Sequence, residues 1–214
     1  MIRPSVQYRR YFPDKWLSGG RNVFAFNLQG QYIQSYNDSS VPFFDRFFIG
    51  GETTIRGFDI RSISPIAVSS APLYDPKGNP VIDLKTGLPK ISDPIPTPVG
   101  GDTYGIFNFE YRVPIAGPLS VAAFYDLGIT RVTRKESLGT FAAGSVEILD
   151  RANNALRGST GVEIQFVLPV VSAPFRLIFA YNPQRLDETV RIGNQNYLLR
   201  ESSSDIKFTV GRSF

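Results

Sequence analysis

The dominant pattern along the chain is alternation of apolar and polar residues with a period of two, a rhythm that suits β-strands and argues against long amphipathic helices. In residues 23–34, VFAFNLQGQYIQ, the apolar Phe24, Phe26, Leu28 and Tyr32 alternate with Ala25, Asn27, Gln29 and Gln31. In residues 105–113, GIFNFEYRV, Phe107, Phe109, Tyr111 and Val113 alternate with Asn108, Glu110 and Arg112. Residues 119–129, LSVAAFYDLGI, place Leu119, Val121, Tyr125, Leu127 and Ile129 on one face and Ser120, Ala122, Phe124, Asp126 and Gly128 on the other. Residues 161–168, GVEIQFVL, set Val162, Ile164, Phe166 and Leu168 against Glu163 and Gln165. FRLIFAYN and DIKFTVGRSF follow the same rule, and SVQYRRYF is a weaker first member, making seven predicted strands. One short helical turn is predicted within residues 145–153.

Soluble β-sandwiches and lipocalin-like barrels also alternate. The connections discriminate: medium (13–21), very long (37–103), very short (114–118), long (133–157), very short (169–174) and long (185–204). Short turns in strict alternation with long loops are the pattern of a transmembrane β-barrel, with turns in the periplasm and loops outside. The polar face carries Asn, Gln, Glu, Arg and Asp, which a lumen tolerates and a soluble apolar core does not. The predicted fold class is therefore all-β, a transmembrane antiparallel β-barrel segment. An odd strand number is foreign to single-chain bacterial barrels, and unpaired strand edges in lipid would cost several kcal/mol per orphan backbone group. Residues 1–214 are thus expected to form the C-terminal part of a larger barrel, and MIRPSVQYRRYF, lacking an apolar h-region, implies an export signal further upstream.

Composition removes several function classes. With no Cys and no His the chain has no disulfide, no ordinary zinc site and no nucleophile–histidine triad. A net charge of +4 leaves no footprint for nucleic acid. Asp75 and Asp83 in the Pro/Gly/Lys-rich stretch 74–90 lack the spacing of a Ca²⁺ loop, so that stretch reads as a solvent-exposed insertion. No metal, no cofactor and no enzymatic activity are expected.

The most particular stretch is FFIGGETTIRGFD, residues 47–59, inside the long loop. Gly50 and Gly51 suit a chain reversal, and Gly57 suits a tight turn or close approach to a wall. Strand parity puts Glu110, Phe124, Asp126 and Gly128 on the lumen face. An arginine there could bond carboxylates bidentately and stack on a ring, while Gly128 leaves room for the loop. The residues alone leave a plainer reading open, in which Arg56 is a solvated loop arginine and Asp126 pairs with some other wall arginine.

Taken together, these motifs resemble the C-terminal half of the barrel of BamA-type outer-membrane protein assembly factors, in the bacterial surface antigen superfamily. The resemblance rests on the Gly50–Gly51 pair followed by Ile55, Arg56, Gly57 and Phe58, and on the Phe-x-Asp-x-Gly pattern of Phe124, Asp126 and Gly128. Glu110 on the preceding strand and a last strand ending in Gly211 and Phe214 complete it. It implies about seven C-terminal strands of a barrel of about 16. The loop 37–103 would fold into the lumen with its Arg-Gly-Phe motif latched to the wall. It also implies N-terminal strands and periplasmic POTRA modules outside this chain, and location in the bacterial outer membrane. Insertion of β-barrel clients is expected to proceed at a weak seam between first and last strands, with local bilayer thinning. Phe208, Val210, Gly211 and Phe214 are expected to serve that seam and the C-terminal insertion signal. The implied partners are outer-membrane lipids, unfolded outer-membrane protein clients and accessory lipoproteins. A two-partner-secretion-type or related translocation pore and a passive porin or surface barrel remain the alternative functions.

Overall fold

In the computed structural model, seven strands form one antiparallel sheet, and every one of them is a predicted strand. They are β1 (Ser5–Pro13), β2 (Val23–Tyr32), β5 (Thr103–Ala116), β6 (Leu119–Arg131), β8 (Arg157–Val167), β9 (Pro174–Gln184) and β12 (Ser204–Val210). The structure describes residues 1–36, 39–69, 72–84, 86–90, 92, 95–139, 146–167, 173–192 and 195–210. The sheet order β1-β2-β5-β6-β8-β9-β12 follows chain order, so each strand pairs with its sequence neighbour in the sheet and β1 and β12 are its edges. Spanning a bilayer at barrel tilt takes about 9–11 residues. β5 has 14 and β6 has 13, long enough to reach beyond it.

Register confirms the parity read from the alternation. Ala25 lies opposite Glu110 and Glu110 opposite Phe124, while Asn108 lies opposite Asp126 and Asp126 opposite Ser159. These side chains share one face and are buried. The other face carries Phe24, Phe26, Phe109 and Tyr111, whose rings form a contiguous aromatic patch with centroids 4.6–6.2 Å apart. Leu28, Val162, Phe179, Tyr181, Ile206, Phe208 and Val210 on that face are exposed, as a lipid-facing wall requires.

Two small sheets within the loops were not predicted. β3 (Ile66–Ser69) pairs with β4 (Ile95–Pro98) and with β7 (Val146–Ile148), joining the long loop to the next one. β10 (Asp187–Ile192) and β11 (Gln195–Arg200) form a hairpin inside what reads in sequence as the last external loop. The predicted helical turn appears as α1 (Asp150–Asn154). The boundary of the long loop also shifts. The β2–β5 ladder ends at Tyr32 opposite Thr103, so the connection covers 33–102 rather than 37–103. Beyond Tyr32 the backbone leaves the ladder for single bridges: Ile33 N–H donates to Asp102 O and Gln34 pairs with Ile2.

Buried polar groups hold this long loop over its rim of the sheet. Arg46 donates to Val41 O at 2.9 Å, Val99 O at 3.1 Å and Leu138 O at 2.8 Å, tying three backbone segments together. The Asp102 carboxylate accepts from the N–H groups of Thr133 and Arg134 and from the hydroxyls of Thr103, Thr133 and Ser137. Ala67, Val99, Val132, Leu138 and Ile148 make a small apolar core beside them. In the stretch 74–90, Asp75 accepts from the N–H groups of Lys77 and Asn79, which makes it a turn cap.

The opposite rim carries short turns. In the β1–β2 turn, residues 14–22, Asp14 Oδ1 accepts from Trp16 N–H and Leu17 N–H at 3.0 Å each, and Tyr111 Oη–H donates to Asp14 Oδ2 at 2.7 Å. The Leu17 N–H first, then the Tyr111 hydroxyl and the Trp16 N–H, hold the Asp14 carboxyl below its ordinary 3.8. A depressed folded pKa means the stabilisation is complete above the unfolded value and is lost as pH falls through the folded one. The environment of Trp16 should thus stay constant from neutral pH to about pH 4 and change only below it, whereas Asp14→Ala should disorder the turn at every pH. Fluorescence anisotropy of Trp16 across a pH titration measures both; a transition near neutrality would contradict the assignment.

Candidate functional site

The inner face of the sheet is polar where β5, β6, β8 and β9 cross it, and the loop segment 47–59 lies against that patch. The reversal at Gly50 and Gly51 has positive φ at both residues, 111° and 99°, and a Cβ at Gly51 would lie 3.1 Å from Ile60 Cγ1. Thr54 Oγ1 accepts from Gly50 N–H at 2.8 Å, which closes the turn. Ile49, Ile55, Phe58 and Ile63 then cluster with Ile106 of β5, so the loop brings its own small apolar core into the concave face. Gly128 makes room for it: a Cβ there would come within 2.7 Å of Ile55 and 2.8 Å of Ile49.

Arg56 is 1% exposed at the centre of this arrangement. Its guanidinium donates from Nε to Asp126 Oδ2 and from Nη2 to Asp126 Oδ1, each at 2.8 Å, the two-pronged geometry that suits a planar fork. Its backbone N–H donates to the same Asp126 Oδ2 at 3.0 Å. Nη1 reaches Glu110 Oε1 and Glu163 Oε2, both at 3.1 Å. The Phe124 ring lies 3.9 Å from Cζ, covering one face of the cation. The sequence-predicted partners Glu110, Phe124, Asp126 and Gly128 thus all meet the motif.

The carboxylates are shared with wall arginines. Glu110 Oε2 accepts from Arg112 Nη2 at 2.7 Å, and Glu163 accepts from Arg176 Nε at 2.6 Å and Nη2 at 2.7 Å. Three carboxylates (Glu110, Asp126, Glu163) therefore face three guanidinium groups (Arg56, Arg112, Arg176), a neutral cluster inside a low-dielectric wall. Asn108 Nδ2 donates to Asp126 Oδ1 at 2.9 Å and to Thr54 O at 2.7 Å, and Asn27 supports Asn108 at 2.8 Å. Burial draws the Arg56 pKa down, but Asp126 first, then Glu110 and Glu163, hold it above its ordinary value. A raised folded pKa contributes stability that is lost only in strong alkali, so the Arg56 guanidinium stays charged around neutrality.

Glu163 was missed as a partner of the motif, and Arg176 as the wall arginine that shares it, although both sit at inward parity on their strands. Asn182 and Lys207 were missed likewise. Asn182 Nδ2 donates to Gly57 O at 2.7 Å and to Ser202 O at 2.9 Å. Gly57 has φ of 84°, and a Cβ there would overlap Asn182 and lie 2.6 Å from Ala180 Cβ. Lys207 Nζ donates to Phe58 O at 2.6 Å and pairs with Asp205 at 3.0 Å and Asp59 at 3.3 Å. The motif is therefore bonded to the last strand as well as to the middle of the wall. Of the last-strand residues, Phe208 and Val210 are exposed on the lipid face, with the Phe208 ring 6.0 Å from Phe175; Gly211 and Phe214 lie outside the described residues.

Removing one partner from a buried ionic group costs about 3–5 kcal/mol. Arg56→Ala should lower the unfolding free energy of the folded barrel by about that much, since it leaves three carboxylates against two arginines. Arg56→Lys should recover little, because an ammonium is a point charge without the planar fork. Denaturant unfolding followed by electrophoretic mobility reads both, and unchanged midpoints would show that the cluster carries no stability. Lys207→Met should leave the midpoint nearly unchanged yet speed hydrogen exchange in β12, because it cuts the tie from loop to last strand and the partly exposed pair with Asp205 while sparing the buried ionic cluster.

Comparison with known proteins agrees with this architecture. The family model described as the Omp85 superfamily domain matches residues 1–214. An outer membrane protein assembly factor BamA from Nitratidesulfovibrio vulgaris is 29% identical over 133 residues, which cover 60% of this chain and 13% of that protein. The crystal structure of BamA from Haemophilus ducreyi lacking POTRA domains 1–3 superposes with a TM-score of 0.59 at 18% identity, over 97% of this chain and 35% of that one, a likeness of fold. The chain thus spans a small part of the length of these relatives. With its lipid-facing wall, its polar inner face and a family match over its full length, this chain is an outer-membrane β-barrel segment and belongs to the Omp85 superfamily.

Proposed function

We propose that this chain is the C-terminal part of the barrel of a BamA-like factor that folds and inserts β-barrel proteins into the outer membrane. The observation that carries the reading is the seating of Arg56 among Glu110, Asp126 and Glu163, with the same loop bonded to the edge strand through Lys207. A passive pore has no need of a buried arginine to pin a 70-residue connection (33–102) to its inner wall. An insertase that opens beside its last strand does need a device holding that strand in place between cycles. Unfolded outer-membrane proteins would be the clients, pairing by strand addition at an open edge. Lipids would be the medium, and accessory lipoproteins the partners. The work is conformational, and no bond of a client is made or broken.

The test uses the complete protein, in cells depleted of their own assembly factor and in proteoliposomes given an unfolded barrel client. Arg56→Glu and Asp126→Arg should each reduce client folding by an order of magnitude or more, since each converts a buried attraction to repulsion. Combining the two should restore part of the activity and not all of it, because Glu110 and Glu163 would then face a carboxylate at position 56. Clients that appear across the bilayer rather than folded within it would assign the chain to a secretion pore. Deleting residues 47–60 should raise single-channel conductance if the loop obstructs the lumen. Folded single variants with full client turnover would overturn the latch.

A further inference from the structure

The short-turn rim carries a feature that protein assembly does not explain. Trp16, the chain's one tryptophan, is 97% exposed, and its neighbour Leu17 is 79% exposed. Their backbone is nonetheless fixed, because the buried Asp14 receives both of their N–H groups and the Tyr111 hydroxyl. Ser18 Oγ–H donates to Asp14 O at 2.7 Å and accepts from Asn22 N–H at 2.9 Å. A fully exposed tryptophan held on so ordered a turn is presented to something outside the chain.

The charges nearby indicate what that is. Lys15 and Arg21 flank the tryptophan on the same turn and are exposed. Arg10 lies opposite Phe26 in the β1–β2 ladder, so it shares the outward parity of Tyr8, Phe12, Phe24 and Leu28. Its guanidinium lies 5.1 Å from the Phe12 ring, which stands edge-on to Phe26 at 5.9 Å. Among the described residues none of Arg10, Lys15 and Arg21 is ion-paired with a carboxylate. Arg10 sits three residues before the end of β1 at Pro13, hence about 10 Å along the strand and less than that in depth once the strand tilts. A strand pairing with the free edge of β1 would do so through the backbone and leave this outward side chain facing lipid. An arginine so placed reaches back to the headgroups while its stem stays in the acyl layer. A periplasmic protein has no access to it there.

We propose that the β1–β2 turn and the adjoining outward face of β1 form a binding site for an anionic phospholipid of the periplasmic leaflet. Arg10, Lys15 and Arg21 engage the phosphate region, and Trp16 and Leu17 enter the boundary between headgroups and acyl chains. The aromatic ring with its polar N–H suits that boundary, and basic side chains near it favour anionic lipid. The ordered turn sets the depth at which this end of the hairpin sits in the bilayer.

The experiment uses the complete protein in vesicles of phosphatidylcholine with or without phosphatidylglycerol. The Trp16 signal is isolated as the difference from Trp16→Phe. Lipids brominated high on the acyl chain should quench that signal, and aqueous iodide should not. Retention of phosphatidylglycerol through detergent extraction, read by native mass spectrometry, should fall roughly fivefold for each of Arg10→Gln, Lys15→Gln and Arg21→Gln. Phosphatidylcholine retention should be unchanged, and electrophoretic mobility should show the variants folded. Quenching by iodide alone would place Trp16 in the periplasm, and quenching by neither would place it under another protein segment. Either result overturns the proposal, as does phosphatidylglycerol retention indifferent to all three substitutions.

Discussion

The two-pronged bond between Arg56 and Asp126 is the contact on which the inner architecture turns. It places the loop tip at one height on β6, and from that height the remaining partners follow. Glu110 is one strand to one side and Glu163 one strand to the other, so a single guanidinium bridges β5, β6 and β8. Lysine would offer its three donors from a single point and no flat face; the planar fork pairs two-pronged with Asp126, reaches Glu110 and Glu163 and still leaves a face for Phe124. Burying so much charge is tolerable because acids and bases balance within the cluster, and because Asn108 supplies a further donor.

From that anchor, connection runs in two directions. Towards the rim of long loops, the apolar cluster of Ile49, Ile55, Phe58, Ile63 and Ile106 gives way to the polar ties of Arg46 and Asp102, which bind the next loop into the same cover. Towards the sheet edge, Gly57 O and Phe58 O are held by Asn182 on β9 and Lys207 on β12. The loop thus reaches from the wall's centre to its last strand. Any motion that frees β12 must break Lys207 from Phe58 or carry the loop tip along, which is a mechanical coupling rather than a chemical one.

How legible each part was depended on whether its signal was local. All seven strands of the wall stood out because each faces lipid on one side and a polar interior on the other, so each wrote its own alternation. The strands β3, β4 and β7 were illegible because they are three or four residues long, and two prolines sit in β4. Their existence depends on pairing between loops far apart in sequence. β10 and β11 alternate faintly but lie beyond the membrane, where neither lipid nor a core sharpens the pattern.

The site divides in the same way. Parity alone assigned Glu110, Phe124, Asp126 and Gly128 to the inner face, and equally Glu163, Arg176, Asn182 and Lys207. Period-two patterning identifies a face and carries no information on which residues of that face meet a loop arriving from 50 to 150 positions away. The amino-acid sequence by itself determined the strands, their facing and the presence of a glycine-flanked arginine within reach of the wall. Tertiary structure decided the height at which Arg56 docks and the strands it spans, because that height is set by shape: the space Gly128 leaves, the bend at Gly50 and Gly51, and the close approach permitted at Gly57.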